Sequence, residues 1–250
     1  MIRIRVQPEE YRKLAAMEDS MWYFRGLHQR FADFLSLGLP PGRARVLDAG
    51  CGAGGFIRRT QPMRPEWEFT GIDIMPQACV LARQRTAARI VEGSITSLPF
   101  AAGEFDAVVS GDVVCQVGDD AAALRELARC VRPGGVVAVN VPAFRWLWSY
   151  HDQACETLRR YTQREVAALF MQAGLAVRLA SYANAVPFLF IVLRRKILRR
   201  QDRASDLHLY PRPVEDAFTR VASVENAWLR QGRSLPVGSS VFVVGQKSAY

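Results

Sequence analysis

Apolar residues along this chain recur at two spacings, and the changes of spacing mark its elements. Short apolar runs at residues 45–49, 68–73, 89–92, 105–110 and 135–141 predict strands, and helices begin between them near Gly54, Pro76 and Asp119. Such strand–helix alternation specifies a parallel sheet with right-handed crossovers. Arg132-Pro133-Gly134-Gly135 is a stop-and-turn signal ahead of the fifth strand. A helix over 162–172 follows, with Thr162 as its N-cap and Gly174 just past its end. Residues 177–182 and 240–246 predict the last strands. Upstream, 9–19 reads as a charged helix, and 25–37 as a helix with Leu27, Phe31, Phe34 and Leu35 at helical spacing.

These elements divide the chain into an N-terminal helical cap (1–40), an α/β core (41–183), a helical insertion (184–236) and a last core strand (237–250). The 250 residues suit one α/β domain with appendages. The insertion is longer than a connector needs to be. It holds NAVPFLFIVLRRKILRRQ, a polar loop and a helical stretch over 214–231. A helical pair packed on the domain or at a homodimer interface explains it, and so does a lid or wall for a bulky apolar substrate. A third reading is a peripheral membrane element over 184–200, with Phe188, Leu189 and Phe190 facing lipid and arginines meeting anionic head groups.

The densest chemistry lies at Val46-Leu47-Asp48-Ala49-Gly50-Cys51-Gly52-Ala53-Gly54-Gly55, followed by Gly71-Ile72-Asp73-Ile74. An apolar strand, a glycine turn and a helix start precede a second strand that ends in a carboxylate. Glycines let the turn take positive φ and let the backbone approach a ligand, and the carboxylate can accept from both ribose hydroxyls. Gly50, Gly52 and Gly55 satisfy the dinucleotide pattern, while Gly50, Gly52 and Gly54 satisfy that of S-adenosylmethionine (SAM) enzymes. Asp48 favours the second. A carboxylate at the mouth of the strand repels a pyrophosphate but attracts the ammonium that SAM carries.

VLDAGCGAG and GIDIMPQA resemble the first two motifs of the class I SAM-dependent methyltransferases. EGSITSLPFAAGEFDAVVSGDVVCQVGD and LRELARCVRPGGVVAVNVPAF resemble the later strands and the helix between them, so the likeness covers roughly residues 20–183. It implies a Rossmann-like α/β sheet with an antiparallel last strand, and SAM as the cofactor. By position, Gly50, Cys51, Gly52 and Gly54 would line the methionine portion and Asp48 its amino group. Asp73 would bind the ribose and Ile74 would pack on the adenine. Ser94, where many relatives have Asp, and the Ile95 backbone would meet the adenine edge, and Asp112 the sulfonium end. The same likeness places Trp22-Tyr23-Phe24-Arg25 over the cofactor cleft, where Arg25 could pair the methionine carboxylate. Trp22 would then face substrate, although Trp22 and Phe24 could equally dock the first helix on the core.

Methyl transfer is an in-line displacement, so alignment and exclusion of water are its main demands. A hydroxyl or ammonium acceptor also needs a base, and histidine is the natural choice. Of His28, His151 and His208, only His151 follows the fifth strand beyond the sheet's carboxyl edge. It lies in VPAFRWLWSYHD, with Arg159-Arg160-Tyr161 shortly after, a pattern that resembles a bacterial subgroup associated with secondary metabolites and cell-surface glycoconjugates. Trp146, Trp148 and Tyr161 are the candidate substrate wall. The competing readings are a methyltransferase-fold protein that binds SAM without transferring methyl, a nicotinamide oxidoreductase, and an RNA methyltransferase.

Composition adds little. The net charge is +9, but 30 of 33 basic residues are arginines, a bias that a GC-rich genome produces without any ligand. The acceptor is therefore expected to be a small molecule rather than nucleic acid. Five scattered cysteines without CxxC suit reduced thiols in a cytosol. No metal-ligand spacing is visible, so metal independence is expected. MIRIRVQPEE lacks the apolar core of a signal peptide, and the apolar run 185–193 is about half of a membrane span.

Overall fold

A computed structural model describes residues 15–193 and 209–249. Strands β1 (Ala44–Ala49), β2 (Trp67–Asp73), β3 (Arg89–Glu92), β4 (Phe105–Gly111), β5 (Val131–Pro142), β6 (Leu175–Ala183) and β7 (Ser240–Lys247) form one sheet in the order β3-β2-β1-β4-β5-β7-β6. The first five are parallel, and β7 runs antiparallel between β5 and β6. The expected strands are all present, with one difference in detail. Arg132–Gly135 is not a turn ahead of β5 but an irregular first stretch of it, because Phe105 pairs with Val131 before the register shifts. Gly134 takes φ 75° there, and a Cβ on Gly135 would stand 2.6 Å from the Asp106 carbonyl oxygen.

The helices are α1 (Trp22–Gly38), α2 (Gly55–Thr60), α3 (Pro76–Arg85), α4 (Asp120–Cys130), α5 (Tyr150–Ala154), α6 (Gln163–Gln172), α7 (Ala185–Val192) and α8 (Arg212–Arg230). Asp119 caps α4 by accepting from the Ala122 amide, and Thr162 and Glu165 form the capping box of α6. Of the helix expected over 9–19, residues 15–20 are helical, and 9–14 lie outside the described residues.

Successive strand residues face opposite sides of the sheet, so each side has its own core. Leu47, Ile72, Val108 and Val137 pack with Leu124, Leu127 and Phe170 of α4 and α6. Val46, Phe69, Val109 and Ala138 pack with Phe31 and Leu35 of α1 and with Phe56 and Ile57 of α2. Phe31 and Phe34 both meet Phe242 of β7, at ring separations of 5.8 and 5.2 Å.

The insertion is anchored by polar contacts. Helices α1 and α8 cross where Gly26 meets Ala222; a Cβ on Gly26 would come within 2.8 Å of the alanine's. Beside this crossing the fully buried Arg30 donates through Nε to Asn226 Oδ1 at 2.8 Å and through Nη2 to Glu225 Oε1 and Asn184 Oδ1, each at 3.3 Å. Glu225 also accepts from the amides of Asn184 and Ala185 at the start of α7. One carboxylate therefore neutralises a buried guanidinium and caps a helix.

Glu225→Ala leaves the guanidinium uncompensated, which for a buried ion pair costs about 3–5 kcal/mol. The thermal midpoint should then fall by roughly 6–20 °C at this chain length, measured by calorimetry. A fall of under about 2 °C would show that the pair carries no such weight.

Candidate cofactor and acceptor site

The sheet order reverses between β1 and β4, and the crevice outside the carboxyl ends of those strands is where open α/β sheets take ligands. The Gly50–Gly54 turn closes β1 at that point. Gly50, Gly52 and Gly54 have φ of 87°, 53° and 80°, which only glycine adopts freely. The Gly50 and Cys51 amides donate to the Ile72 carbonyl at 2.8 and 2.9 Å. Asp73 locks the turn onto β2: its Oδ2 accepts from the Gly52 amide and its Oδ1 from the Met75 amide, both at 2.9 Å.

Asp48 is buried, and among the described residues it has neither a hydrogen-bond donor nor a cation within pairing distance. Burial, then the neighbouring Glu18 and Asp73 charges, pushes its carboxyl up to about 8. Glu18 lies over the turn, its Oε1 3.3 Å from where a Gly52 Cβ would stand. Arg85 of α3 holds it at 3.0 Å and also binds Asp19 and the Ala53 carbonyl. Burial raises Glu18 to about 7 against the lowering effect of Arg85. Ile74 leaves an apolar face 64% exposed beside Asp73. Ser94 shares a hydrogen bond with Thr96 across its own turn, and the Ile95 side chain is buried in the core. Burial pushes the Cys51 thiol far up, so it is an inert apolar lining.

The mouth of the cleft is therefore acidic in a basic protein. Asp48, Asp73 and Asp112 end or follow three adjacent strands, and among the described residues none has a Lys or Arg within ion-pair distance. The nearby arginines are engaged: Arg85 with Glu18 and Asp19, Arg30 with Glu225, and Arg160 with Asp152. Asp112 takes φ 57° and is joined to Tyr23 and Asn140. A buried acceptor without a donor, beside a turn with glycine at Gly50, Gly52 and Gly54, fits an α-ammonium and a nucleoside.

The comparisons with known proteins agree. A family profile described as "Methyltransferase domain" matches residues 47–139. Malonyl-(acyl-carrier protein) O-methyltransferase of Enterobacter lignolyticus is 31% identical over 226 residues, covering 86% of this chain and 87% of that protein. The chain belongs to the class I SAM-dependent methyltransferases. Demethylmenaquinone methyltransferase of Roseiflexus sp. is 36% identical over 111 residues, 43% of this chain and 46% of that one. A methyltransferase of Haloferax volcanii, solved with a methyltransferase activator, shares the fold at a TM-score of 0.62 and 21% identity, covering 96% of each chain. This methyltransferase uses SAM as its cofactor.

The other expected site residues are placed unequally. Trp22 is buried against Phe218 of α8 at 5.4 Å, and its amide donates to Glu215. Arg25 reaches Asp216 at 3.3 Å, because that carboxylate of α8 lies one helix away at the surface. Both residues thus join the cap to the insertion. His151 sits on the short helix α5 with its ring nitrogens 3.7 Å from Cys155 Sγ. Tyr161 is buried and donates to Asp120 Oδ2 at 2.9 Å, fastening the loop after β5 to α4. Trp146 and Trp148 are exposed, and Trp148 lines a cavity of about 420 Å³ with Arg145, Leu158, Arg159 and Arg160. A larger groove of about 770 Å³ lies at the opposite, amino-terminal ends of the strands. There Asp106 is paired with both Arg45 and Arg132.

The raised acids make cofactor binding depend on pH. With Asp48 at about 8, the free enzyme holds a proton that the unfolded chain releases at ordinary carboxylate pH, so its stability falls as pH rises through that window. An ammonium beside Asp48 favours the ionised form. SAM affinity should therefore rise roughly ten- to thirtyfold between pH 6 and 7.5, with release of about one proton. Calorimetry in buffers of different ionisation enthalpy measures both, and a flat profile without proton release would remove Asp48 from the ammonium site.

Proposed function

We propose that this enzyme moves the SAM methyl group to an apolar acceptor carried on a lipid or a carrier, at the cytoplasmic face of a membrane. The observation that carries the reading is a continuous exposed apolar surface beside the sheet's carboxyl edge. Leu189 and Phe190 of α7 are 65% and 59% exposed, and Val186 and Leu193 stand open next to them. Phe188 of the same helix meets Trp146 at 6.0 Å and Phe144 at 5.8 Å. The helix therefore continues into the loop that carries Trp146, Trp148 and Tyr150, all exposed. Tryptophan and tyrosine at the rim of an apolar face suit the boundary between head groups and acyl chains. Among the described residues no helix is long and apolar enough to cross a membrane, so the contact is peripheral. The basic residues 194–200 follow in sequence and lie outside the described residues.

The relatives support a carrier- or lipid-linked acceptor, since their names give malonyl-(acyl-carrier protein) and demethylmenaquinone. In the proposed arrangement Asp48 holds the ammonium, Asp73 the ribose and Ile74 the adenine, over Gly50, Cys51, Gly52 and Gly54. Ser94 and Ile95 stand at the adenine edge. The acceptor lies against Trp146 and Trp148, with an anionic linker near Arg145 and Arg159. SAM supplies an already activated methyl group, so these residues align the acceptor and exclude water.

Two measurements test the reading. The full chain should transfer methyl to malonyl-acyl-carrier protein or to demethylmenaquinone in anionic vesicles, and it should sediment with those vesicles at low ionic strength and be released by salt. Transfer only to an acceptor attached to neither a lipid nor a carrier protein, with no vesicle binding, would overturn it. His151, on the same loop, is the proposed base: His151→Ala should lower turnover about 10²–10⁴-fold with SAM affinity unchanged. Activity should also fall on acidification, because only neutral imidazole accepts a proton. Unchanged turnover in that variant would leave alignment as the whole of the catalysis.

A further inference from the structure

Glu18 is a buried acid at the glycine turn that the cofactor placement above leaves without a role. It belongs to the helical turn at residues 15–20, ahead of α1. Three arginines clamp that segment onto the glycine turn. From α3, Arg85 donates through Nη1 to Glu18 Oε2 at 3.0 Å and to the Ala53 carbonyl at 2.8 Å. Its Nη2 donates to Asp19 Oδ1 at 2.9 Å and to the Ala15 carbonyl at 3.0 Å. From α2, Arg58 donates to the Asp19 carboxylate and Arg59 to the Asp19 carbonyl. The clamp leaves Glu18 Oε1 beside Gly52, 3.3 Å from where a Cβ would stand there. Gly55 makes room for the rest of the side chain: a Cβ on it would lie 2.6 Å from Oε2 and 2.9 Å from both Cβ and Cδ of Glu18. The fourth glycine of the motif thus accommodates an acid.

We propose that Glu18 is a further cofactor-binding residue: together with Asp48 it clamps the α-ammonium between two carboxylates, and so selects adenosyl ligands that carry the amino-acid tail. The proposal rests on the cofactor placement given above. An ammonium has three N–H donors, and one that leaves water needs an acceptor for each. A single carboxylate on one side serves it incompletely. Asp48 approaches from β1 and Glu18 from the cap, across the same turn. Glu18 stands near enough that, after burial, its charge does most to hold the Asp48 carboxyl up. The two residues are 7% and 5% exposed. Among the described residues, the sealed side-chain atoms that lack a partner do not include Glu18 Oε1 or the Asp48 oxygens, so these reach open space beside the turn. Arg85 holds Oε2 and leaves Oε1, so it orients the acid rather than using it up. Two like charges buried together repel, and a cation placed between them turns that repulsion into attraction. A nucleoside without the amino-acid tail brings no charge to this point and gains nothing from either acid. Because Glu18 arrives on the segment 15–20, the ammonium site is complete only when that segment is seated on α2 and α3.

Calorimetric titration of the full chain with SAM, S-adenosylhomocysteine and 5′-methylthioadenosine tests this, since the last keeps the adenosine and the sulfur but has no amino-acid tail. Glu18→Gln keeps the shape and an acceptor for Arg85 while removing the charge. It should raise the Kd of SAM and of S-adenosylhomocysteine by about tenfold or more, while moving that of methylthioadenosine by less than about threefold. Gly55→Ala keeps the acid but drives it off the turn. It should shift the same ratio in the same direction, and it decides the matter alone if Glu18→Gln does not fold. Asp48→Asn should show the same selective loss and Asp73→Ala should weaken all three ligands, which together report on the placement itself. If Asp48→Asn is selective but Glu18→Gln leaves the ratio unchanged, the role of Glu18 is overturned and the placement stands. If Glu18→Gln weakens all three ligands alike, the acid only props the turn, and the proposal is overturned as well. If neither Asp48→Asn nor Asp73→Ala weakens any ligand, the placement fails and the proposal fails with it.

Discussion

Carboxylates gathered without cations at one edge of the sheet are the constraint around which this molecule is arranged. Three neighbouring central strands lead to Asp48, which is buried, and to Asp73 and Asp112, which are half-buried; burying an ion carries an effective penalty of several kcal/mol. Each acid meets it differently. Asp48 holds its proton, with its carboxyl raised to about 8. Asp73 leans on the Gly52 and Met75 amides. Asp112 relies on Tyr23 and Asn140. Two apolar layers, one on each side of the sheet, offset these costs.

The strands, the glycine turn and its two flanking acids were legible because their physics is local. A positive-φ turn needs glycine wherever it occurs, and Asp73 stands at a strand end that the apolar run itself defines. What was not legible depends on how helices cross. Glu225 and Asn226 read as part of a solvated helix face until α8 meets α1 at Gly26 and Ala222 and buries them around Arg30. Trp22, Tyr23 and Arg25 read as one cluster over the cofactor, but helical neighbours point about 100° apart. Tyr23 alone meets the acidic edge, while Trp22 and Arg25 turn to Glu215, Asp216 and Phe218. One signal was available and unused: Asn140 is the polar residue in the otherwise apolar Val136–Val141 run, and a polar side chain inside a strand buried on both faces needs a partner.

The two helices of the insertion have opposite characters. On α8 the buried face carries Glu215, Glu225 and Asn226 beside Ala222 and Leu229, and hydrogen bonds to the cap run alongside the Trp22–Phe218 contact. On α7 the apolar residues Val186, Leu189 and Phe190 face outward. A helix pair that existed only to cover the core would bury the apolar helix and solvate the polar one. The reverse arrangement places ion pairs inside, where they fix the crossing, and leaves the apolar side chains for something that is itself apolar. The Trp146–Phe188 contact brings that outward face to the loop that carries His151.

Helix α1 consequently belongs to two assemblies at once. Through Tyr23 it meets Asp112, and through Trp22, Gly26, Arg25 and Arg30 it is tied to α8. Glu225, which neutralises Arg30, also caps α7. The Tyr23–Asp112 contact and the base of the outward apolar helix are thus joined through α1, which carries both Tyr23 and Arg30. Packed polar networks of this kind do not deform smoothly, because each broken bond leaves a buried group unsatisfied. A displacement of α7 must therefore either leave Arg30 in register or disturb the helix that positions Tyr23, so the placement of Tyr23 on Asp112 and the seating of α7 are set together.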